Sequence, residues 1–366
     1  MSVKNAVLIT GACGYIGSNL MEALYQAGFN VIGVDRRKNH RSPEWEAIGK
    51  QRGLTNSYDF YKVDLLDREQ VFELIDKLES KRVDVMAIIH LCALADVSDS
   101  IKNPAKTIGE NLLTTHNTGV LAEHLNPDKF IYMNSCMTTY YDDECWNAYA
   151  FSKRTGIQHL TRNTLFSGTT CFNVILTNPV GCLKYIRTSR GLTAKITDTI
   201  VHGDVLRLSV DNNKGEHDDA YKRNFISIYE VIGCIINILT RDFYDNNYYS
   251  ICCGVIDKNN NCPMYSVTQF GEYCVFDKYV TIQYVKPKDF GLTDIKEATI
   301  KCMIPSDNMY LDFVNDIPQV LLEFDDDHIK IIKNIFANKR ESLSESKTRF
   351  ELLKQCILVN TDAKKI

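Results

Sequence analysis

Thr10-Gly11-Ala12-Cys13-Gly14-Tyr15-Ile16-Gly17-Ser18-Asn19 decides the fold. It follows the apolar run Ala6–Ile9, which reads as a strand, and it opens Tyr15–Ala27, whose apolar spacing is helical and which Gly28 stops. Glycines between a strand and a helix let the backbone turn tightly and approach a pyrophosphate. The helix N-terminus adds N–H donors and positive potential. The spacing is Gly-x-x-Gly-x-x-Gly. Gly11, Gly14 and Gly17, with Tyr15 and Ile16 between them, are therefore expected to bind a dinucleotide.

Working outward, strand and helix signals alternate. Asn30–Val34, Tyr58–Val63, Val85–Leu91, Phe130–Ser135 and Thr170–Leu176 read as further strands. Asp67–Leu78, Asn103–His124 and the segment carrying Tyr149 read as helices between them. Val85–Leu91 is almost continuously apolar, as expected of a strand covered on both faces. The alternation predicts an α/β fold, a Rossmann-type doubly wound parallel sheet. The expected division is a dinucleotide-binding domain over 1–180, to which about 223–240 returns, and a smaller α/β substrate-binding domain over 181–340. A charged tail, 341–366, is expected to be an exposed helix or unstructured. Asp211–Tyr221 reads as a loop, and Ile228–Leu239 and Ile329–Phe336 as helices.

Composition excludes several classes. The 366 residues are 45% hydrophobic, enough for a full core, and 42 basic against 46 acidic residues give a net charge of -4. No basic excess points to nucleic acid or an anionic membrane. The 13 cysteines are an odd, scattered set without metal-ligand spacing, so no metal is expected. Apolar runs are too short to span a bilayer as helices, and the N-terminus has no signal-peptide pattern. The expectation is a cytoplasmic protein.

Two acids are placed to meet a dinucleotide. Asp35 ends the second strand about twenty residues past the glycines, where a carboxylate accepts from ribose hydroxyls and repels a 2′-phosphate, favouring NAD. Arg36 and Arg37 follow it and could grip that phosphate instead, which keeps NADP open. Asp64-Leu65, after the third strand, sits where adenine could be met; a helix N-cap is the competing role for the acid. Tyr149-Ala150-Phe151-Ser152-Lys153 places a phenol and an ammonium four residues apart, on one face of a helix. A nearby cation is expected to favour the phenolate and make Tyr149 an acid/base for an alcohol or sugar hydroxyl.

These stretches, with His90-Leu91-Cys92-Ala93, Phe130-Ile131-Tyr132-Met133-Asn134-Ser135, Asn178-Pro179-Val180-Gly181 and Arg223-Asn224-Phe225-Ile226-Ser227, recur in a known order. The chain resembles the extended short-chain dehydrogenases/reductases, the NAD-dependent nucleotide-sugar epimerase/dehydratase family, and within it looks most like the UDP-glucose 4-epimerases. The resemblance spans about residues 5–182 and fades after about 245. It implies that Ser135, Tyr149 and Lys153 are catalytic. It implies that Leu91, Cys92 and Ala93 form the loop over the cofactor, that Asn111 helps fix the active-site side of the fold and counts among the cofactor-binding residues, and that Lys153 holds the nicotinamide ribose. It implies that Asn178 and Arg223, with Ser135, bind a nucleotide-diphosphate sugar. A homodimer follows by the same analogy.

The chain also departs from that pattern. Cys136 and Met137 stand where a dehydratase carries an Asp-Glu pair, which disfavours dehydration. Ala95 replaces a Lys, the stretch after Ser135 runs one residue long to Tyr140-Tyr141, Arg190-Gly191 stands where an Asn-Asn is expected near the nucleotide, and an Arg-rich Gly-Asp turn has no clear counterpart, Lys286-Pro287-Lys288-Asp289 being the nearest. The expected activity is 4-epimerisation with tightly bound NAD. A reductase or dehydrogenase of the same family and a non-enzymatic NAD sensor are the alternatives.

Overall fold

A computed structural model describes residues 6–38, 55–139, 147–163, 168–181, 191–202, 205–209, 222–243, 248–254, 265–275, 280–285 and 346–358. The chain divides into two compact units: Met1–Thr138 with Ala148–Ile175 and Ile235–Ile251, and Thr139–Asn147 with Leu176–Cys234 and Cys252–Ile366. The expectations for Asp211–Tyr221, Lys286–Asp289, Ile329–Phe336, Tyr140, Tyr141 and Arg190 lie outside the described residues.

The first unit is built on a seven-stranded sheet in the order β11-β6-β5-β4-β1-β2-β3. Its strands are β1 (Ala6–Thr10), β2 (Asn30–Asp35), β3 (Tyr58–Lys62), β4 (Val85–His90), β5 (Lys129–Ser135), β6 (Thr170–Leu176) and β11 (Tyr248–Cys253). β3, β2, β1, β4 and β5 pair in parallel. The chain runs outward from β1 to β3 and then returns to β1's other side with β4. That reversal opens a crevice beyond the carboxyl ends of β1 and β4, where open α/β sheets bind ligands.

Helices α1 (Tyr15–Gln26), α2 (Arg68–Ser80), α3 (Val97–Lys102), α4 (Pro104–Leu125) and α5 (Ala148–Asn163) connect these strands. β1 is buried along its whole length, and β4 nearly so, as a strand covered on both faces must be. On α2, Val71, Leu74, Ile75 and Leu78 form the buried stripe that their spacing predicts, and they join Leu8, Ile32, Ile88 and Phe130 in the core.

In the second unit, β7 (Asn178–Val180) pairs in parallel with β10 (Phe225–Ser227), and β8 (Val205–Ser209) with β13 (Thr281–Val285). β9 (Lys222–Arg223) pairs antiparallel with β12 (Tyr265–Ser266). Helices α6 (Gly191–His202), α7 (Ile228–Thr240) and α8 (Val267–Val275) belong to this stretch of chain, α7 running on into the first unit's segment.

The C-terminal tail corrects the sequence reading. It holds helix α9 (Ser346–Leu358), whose Leu352, Leu353, Cys356 and Ile357 are buried rather than exposed. Leu353 and Ile357 pack into the core of Val180, Leu206, Leu208, Phe225 and Phe270. Gly181, at φ +84°, admits this helix: a Cβ there would lie 2.7 Å from the Cys356 Cβ. The charged residues of the tail masked its apolar stripe, because Leu352, Leu353, Cys356 and Ile357 recur at helical spacing only over a turn and a half.

Candidate active site

The glycine turn is shaped by close approach of backbone to backbone. Gly11 has φ +69°, and a Cβ on it would lie 2.9 Å from the backbone nitrogen of Cys92. A Cβ on Gly17 would run into the Gly11 carbonyl oxygen. Neither neighbour is a side chain that could swing away, so both positions require glycine. Helix α1 starts at Gly14 with no side-chain cap and no acid in its first turn. An uncapped N-terminus facing the crevice is the donor set that a pyrophosphate needs. Ser18 donates to the Ala12 and Gly14 carbonyls and fixes the turn from within.

Asp35 lies buried at the end of β2, where the sequence places it, but its carboxylate is already engaged. Oδ1 accepts from the Arg37 backbone N–H at 2.9 Å and from Arg37 Nε at 3.1 Å. Oδ2 accepts from the Cys13 N–H at 2.9 Å and from Arg37 Nη2 at 3.2 Å. All four lone-pair positions of the carboxylate are used. Arg36 forms an ion pair with Glu110 of α4 at 3.5 Å. The two arginines are thus held on acids beside the turn.

Asp64 does not cap the next helix. That role belongs to Asp67, which accepts from the Glu69 and Gln70 N–H groups. Asp64 Oδ1 accepts from the Leu66 N–H and forms a local turn. Leu65 packs in the core, and its carbonyl accepts from Asn117. The loop after β4 is pinned by Thr10, whose hydroxyl accepts from the N–H groups of Leu91 and Cys92. Ala93 lies in the same loop, and Cys92 packs against the core.

Asn111 fixes the active-site side of the fold. Its Oδ1 accepts from the Leu94 N–H at 2.7 Å, and its amide nitrogen donates to the Leu94 carbonyl and to Ser152 Oγ. Ser152 in turn donates to the Tyr149 carbonyl. Both amide hydrogens are spent, so Asn111 does not offer its side chain to a cofactor. It ties α4 to the loop over the crevice and to the turn of α5 that carries Tyr149.

Ser135, Tyr149 and Lys153 are brought together. β5 ends at Ser135, whose Oγ accepts from the Met137 N–H at the start of a 3-10 turn, Cys136–Thr139. The Ser135 hydroxyl lies close enough to the Tyr149 phenol to lower its pKa. Lys153 follows one helical turn on and is buried.

The charge state differs from the one the spacing suggests. Burial pushes the Tyr149 phenol up to about 12; the Ser135 hydroxyl pulls it down and Cys136 pushes it up, and Lys153 is not among the influences. Burial also brings Lys153 down to about 8, with Cys92 opposing. The ammonium sits 4.4 Å from the centre of the Tyr132 ring. Desolvation therefore overrides the pairing that Tyr-x-x-x-Lys implies, and Tyr149 is a neutral phenol at pH 7 in this state.

Asn178 and Arg223 lie in the second unit. The backbone N–H and side-chain amide of Asn178 both donate to the Asn224 carbonyl at 3.1 Å. Arg223 donates to the Lys222 carbonyl and stands opposite Tyr265 in the β9–β12 pair.

Sequence reasoning gave no role to His90 or Tyr132. His90 is fully buried, and its Nδ1 lies 2.9 Å from the Thr10 hydroxyl and 3.0 Å from that of Thr118; Nε2 lies 3.1 Å from Thr115. Thr118 also donates to the Thr114 carbonyl at 2.7 Å. Burial, with Lys153, drives the imidazole well below its ordinary value, and it stays neutral. Tyr132 stacks on it at 5.6 Å. In the sequence both are hidden inside apolar strands.

Comparison with known proteins follows this geometry. The model of the NAD dependent epimerase/dehydratase family matches residues 7–252. The chain belongs to that family. The UDP-glucose 4-epimerase of Drosophila melanogaster is 35% identical over 136 residues, 35% of this chain and 37% of that protein. That of Bacillus subtilis is 30% identical over 131 residues, 36% of each. These matches span little more than a third of the relatives' length. Among solved structures, the UDP-glucose 4-epimerase of Thermotoga maritima with UDP-glucose has a TM-score of 0.56 at 18% identity, covering 80% of this chain and 88% of that one. Pal of Bacillus thuringiensis has a TM-score of 0.62 at 15% identity, covering 97% and 99%. At such identities the likeness establishes the Rossmann-type fold alone.

No helix among the described residues is long and apolar enough to cross a membrane. Among the same residues no group of three or more metal-ligating side chains occurs.

Proposed function

We propose that this protein is a nucleotide-sugar 4-epimerase that retains NAD through the reaction and uses Ser135, Tyr149 and Lys153 on the sugar's 4-hydroxyl. The observation that carries the reading is the Ser135 hydroxyl close enough to the Tyr149 phenol to lower its pKa, in the same unit as a glycine turn that fits a dinucleotide. Gly11, Gly14, Tyr15, Ile16 and Gly17 hold the pyrophosphate, Asp35 holds the adenosine ribose once the Arg37 guanidinium swings off its carboxylate, the Asp64-Leu65 turn meets the adenine, and Leu91, Cys92 and Ala93 cover the nicotinamide side. NAD bound there supplies a hydride acceptor and donor for the sugar carbon.

In its deprotonated form, which the positive charges of Lys153 and of bound NAD favour, Tyr149 takes the proton of the 4-hydroxyl and later returns it, with Ser135 aligning the sugar oxygen and the phenol. The desolvation that raises Tyr149 to about 12 also makes its anion, once formed, a strong base. Lys153 provides the positive charge of the site and a donor for the nicotinamide ribose. Asn178 and Arg223 bind the sugar diphosphate, for which a guanidinium fork is suited. Cys136 and Met137 occupy the positions after Ser135; neither is a general acid or base for the elimination that a dehydratase performs, which favours epimerisation within the family. UDP-glucose is the first substrate to try, because the relatives in Drosophila melanogaster and Bacillus subtilis bear that activity in their names.

The test is to purify the full chain, identify released cofactor by mass, and follow UDP-, GDP- and dTDP-sugars by NMR. Inversion at C4 without net NADH is the expected result. Stoichiometric NADH, with an oxidised sugar as product, would assign a dehydrogenase instead. Binding of NAD with no sugar turned over would leave a sensor.

A further inference from the structure

We propose that Tyr132 is a positioning residue of the active site, a buried aromatic wall that holds the Lys153 side chain where the reaction needs it. The inference rests on the reading of Lys153 as Tyr149's partner and extends it to a residue that the motif does not contain.

Three contacts tie Tyr132 to that turn of α5. The Lys153 ammonium lies 4.4 Å from the ring centre, within cation–π range. The Tyr132 hydroxyl donates to the Lys153 carbonyl at 3.1 Å, so one side chain grips the lysine at both its head and its backbone. Gly156 makes this possible: a Cβ there would lie 2.5 Å from the Tyr132 oxygen. The ring's other neighbour is His90, stacked at 26° and fixed by the hydroxyls of Thr10, Thr115 and Thr118. Tyr132 is fully buried, so the ring has no freedom to follow a displaced lysine.

The energetic need is specific. Lys153 is buried, and among the described residues no carboxylate pairs with it. A buried ammonium without a counter-ion is costly, and an aromatic face is the compensation on hand. The titratable groups facing it are His90 from β4, Cys92 from the following loop and Tyr132 from β5, with Tyr149 on its own helix. His90 is neutral and the burial of Cys92 pushes that thiol up to about 11, so neither supplies a negative charge at pH 7. The π face is what remains.

The experiment reads Lys153 directly. Competitive amine labelling of the full chain across pH, with mass spectrometry of the Lys153 peptide, is run on wild type, Tyr132→Phe and Tyr132→Leu. NAD affinity is measured by fluorescence titration, and circular dichroism confirms folding. Phe keeps the ring and is expected to titrate as wild type. Leu removes it and is expected to lower the Lys153 midpoint by about one unit and weaken NAD binding about tenfold. If Leu does not fold, Tyr132→Met fills the space without a π face and serves in its place. A folded Leu or Met variant with an unchanged Lys153 midpoint overturns the proposal, as does a Phe variant shifted as far as Leu. Labelling needs no sugar nucleotide, so a failure of the epimerase reading would leave this result standing.

Discussion

The two ends of the candidate site in the first unit are built from different materials. At the cofactor end, backbone meets backbone: Gly11 against Cys92, Gly17 against Gly11, and an uncapped helix start at Gly14. At the proton end, side chains meet across two strands and one helix: Tyr149 by Ser135, Lys153 on Tyr132, Tyr132 on His90. The first end tolerates no side chain. The second depends on every one. Function there is set by how far water is excluded, and the charges follow from that.

The largest effect separates the two ends cleanly. Tyr149→Phe is expected to lower turnover by about 10²–10⁴-fold while NAD still binds with unchanged affinity, checked by NMR rates against fluorescence titration. Turnover at the wild-type rate would remove Tyr149 from the mechanism.

Next comes the burial of Lys153. Its folded midpoint is about 8, below the ordinary lysine value near 10.4, so between these pH values the unfolded chain binds more protons and stability rises with pH. Lys153→Met removes that term. The variant is expected to be inactive yet more stable than wild type at pH 7, by on the order of 3 kcal/mol. The advantage should fade from pH 8 upward and vanish above about 10.5, as read by urea denaturation at stepped pH. A constant difference across that range would show that Lys153 is not desolvated.

Gly11→Ala probes the backbone end. It forces a side chain onto φ +69° and into the Cys92 loop, and about 1–3 kcal/mol of stability should be lost, with NAD affinity falling alongside. Urea denaturation and cofactor titration on one sample check both.

The smallest effect is expected at the rim. Arg37 neutralises Asp35 through a largely exposed guanidinium, and such pairs contribute about 0–1 kcal/mol. Arg37→Ala should leave stability nearly unchanged while freeing Asp35, so that the preference for NAD over NADP widens by less than about tenfold. Equal loss of both cofactors in a binding titration would mean that Arg37 contacts the pyrophosphate instead.

The glycine turn was legible because its constraint is local. A Gly-x-x-Gly-x-x-Gly between a strand and a helix needs no partner far along the chain to be understood, and period and caps likewise announced β1, α1 and α2. Asp35 was legible in position but not in state, since nothing in the sequence says that Arg37 folds back onto it. The partners of Asn111, Leu94 and Ser152, were not legible, because they lie 17 and 41 residues away. α9 was misjudged for a similar reason: its apolar face is short, and only the surface on which it packs reveals it.

What the amino-acid order determined by itself was the doubly wound sheet, the glycine cradle and the presence of a serine, a tyrosine and a lysine at its lip. The sheet and the cradle follow from periodicity and from steric demands within a few residues, and the three side chains from the Tyr-x-x-x-Lys spacing and the family resemblance. What tertiary structure alone decided was how those three groups are charged and what holds them. The pKa of a side chain reports the water it has lost, and that loss is set by Tyr132, His90 and Cys92, residues brought in from other strands and loops.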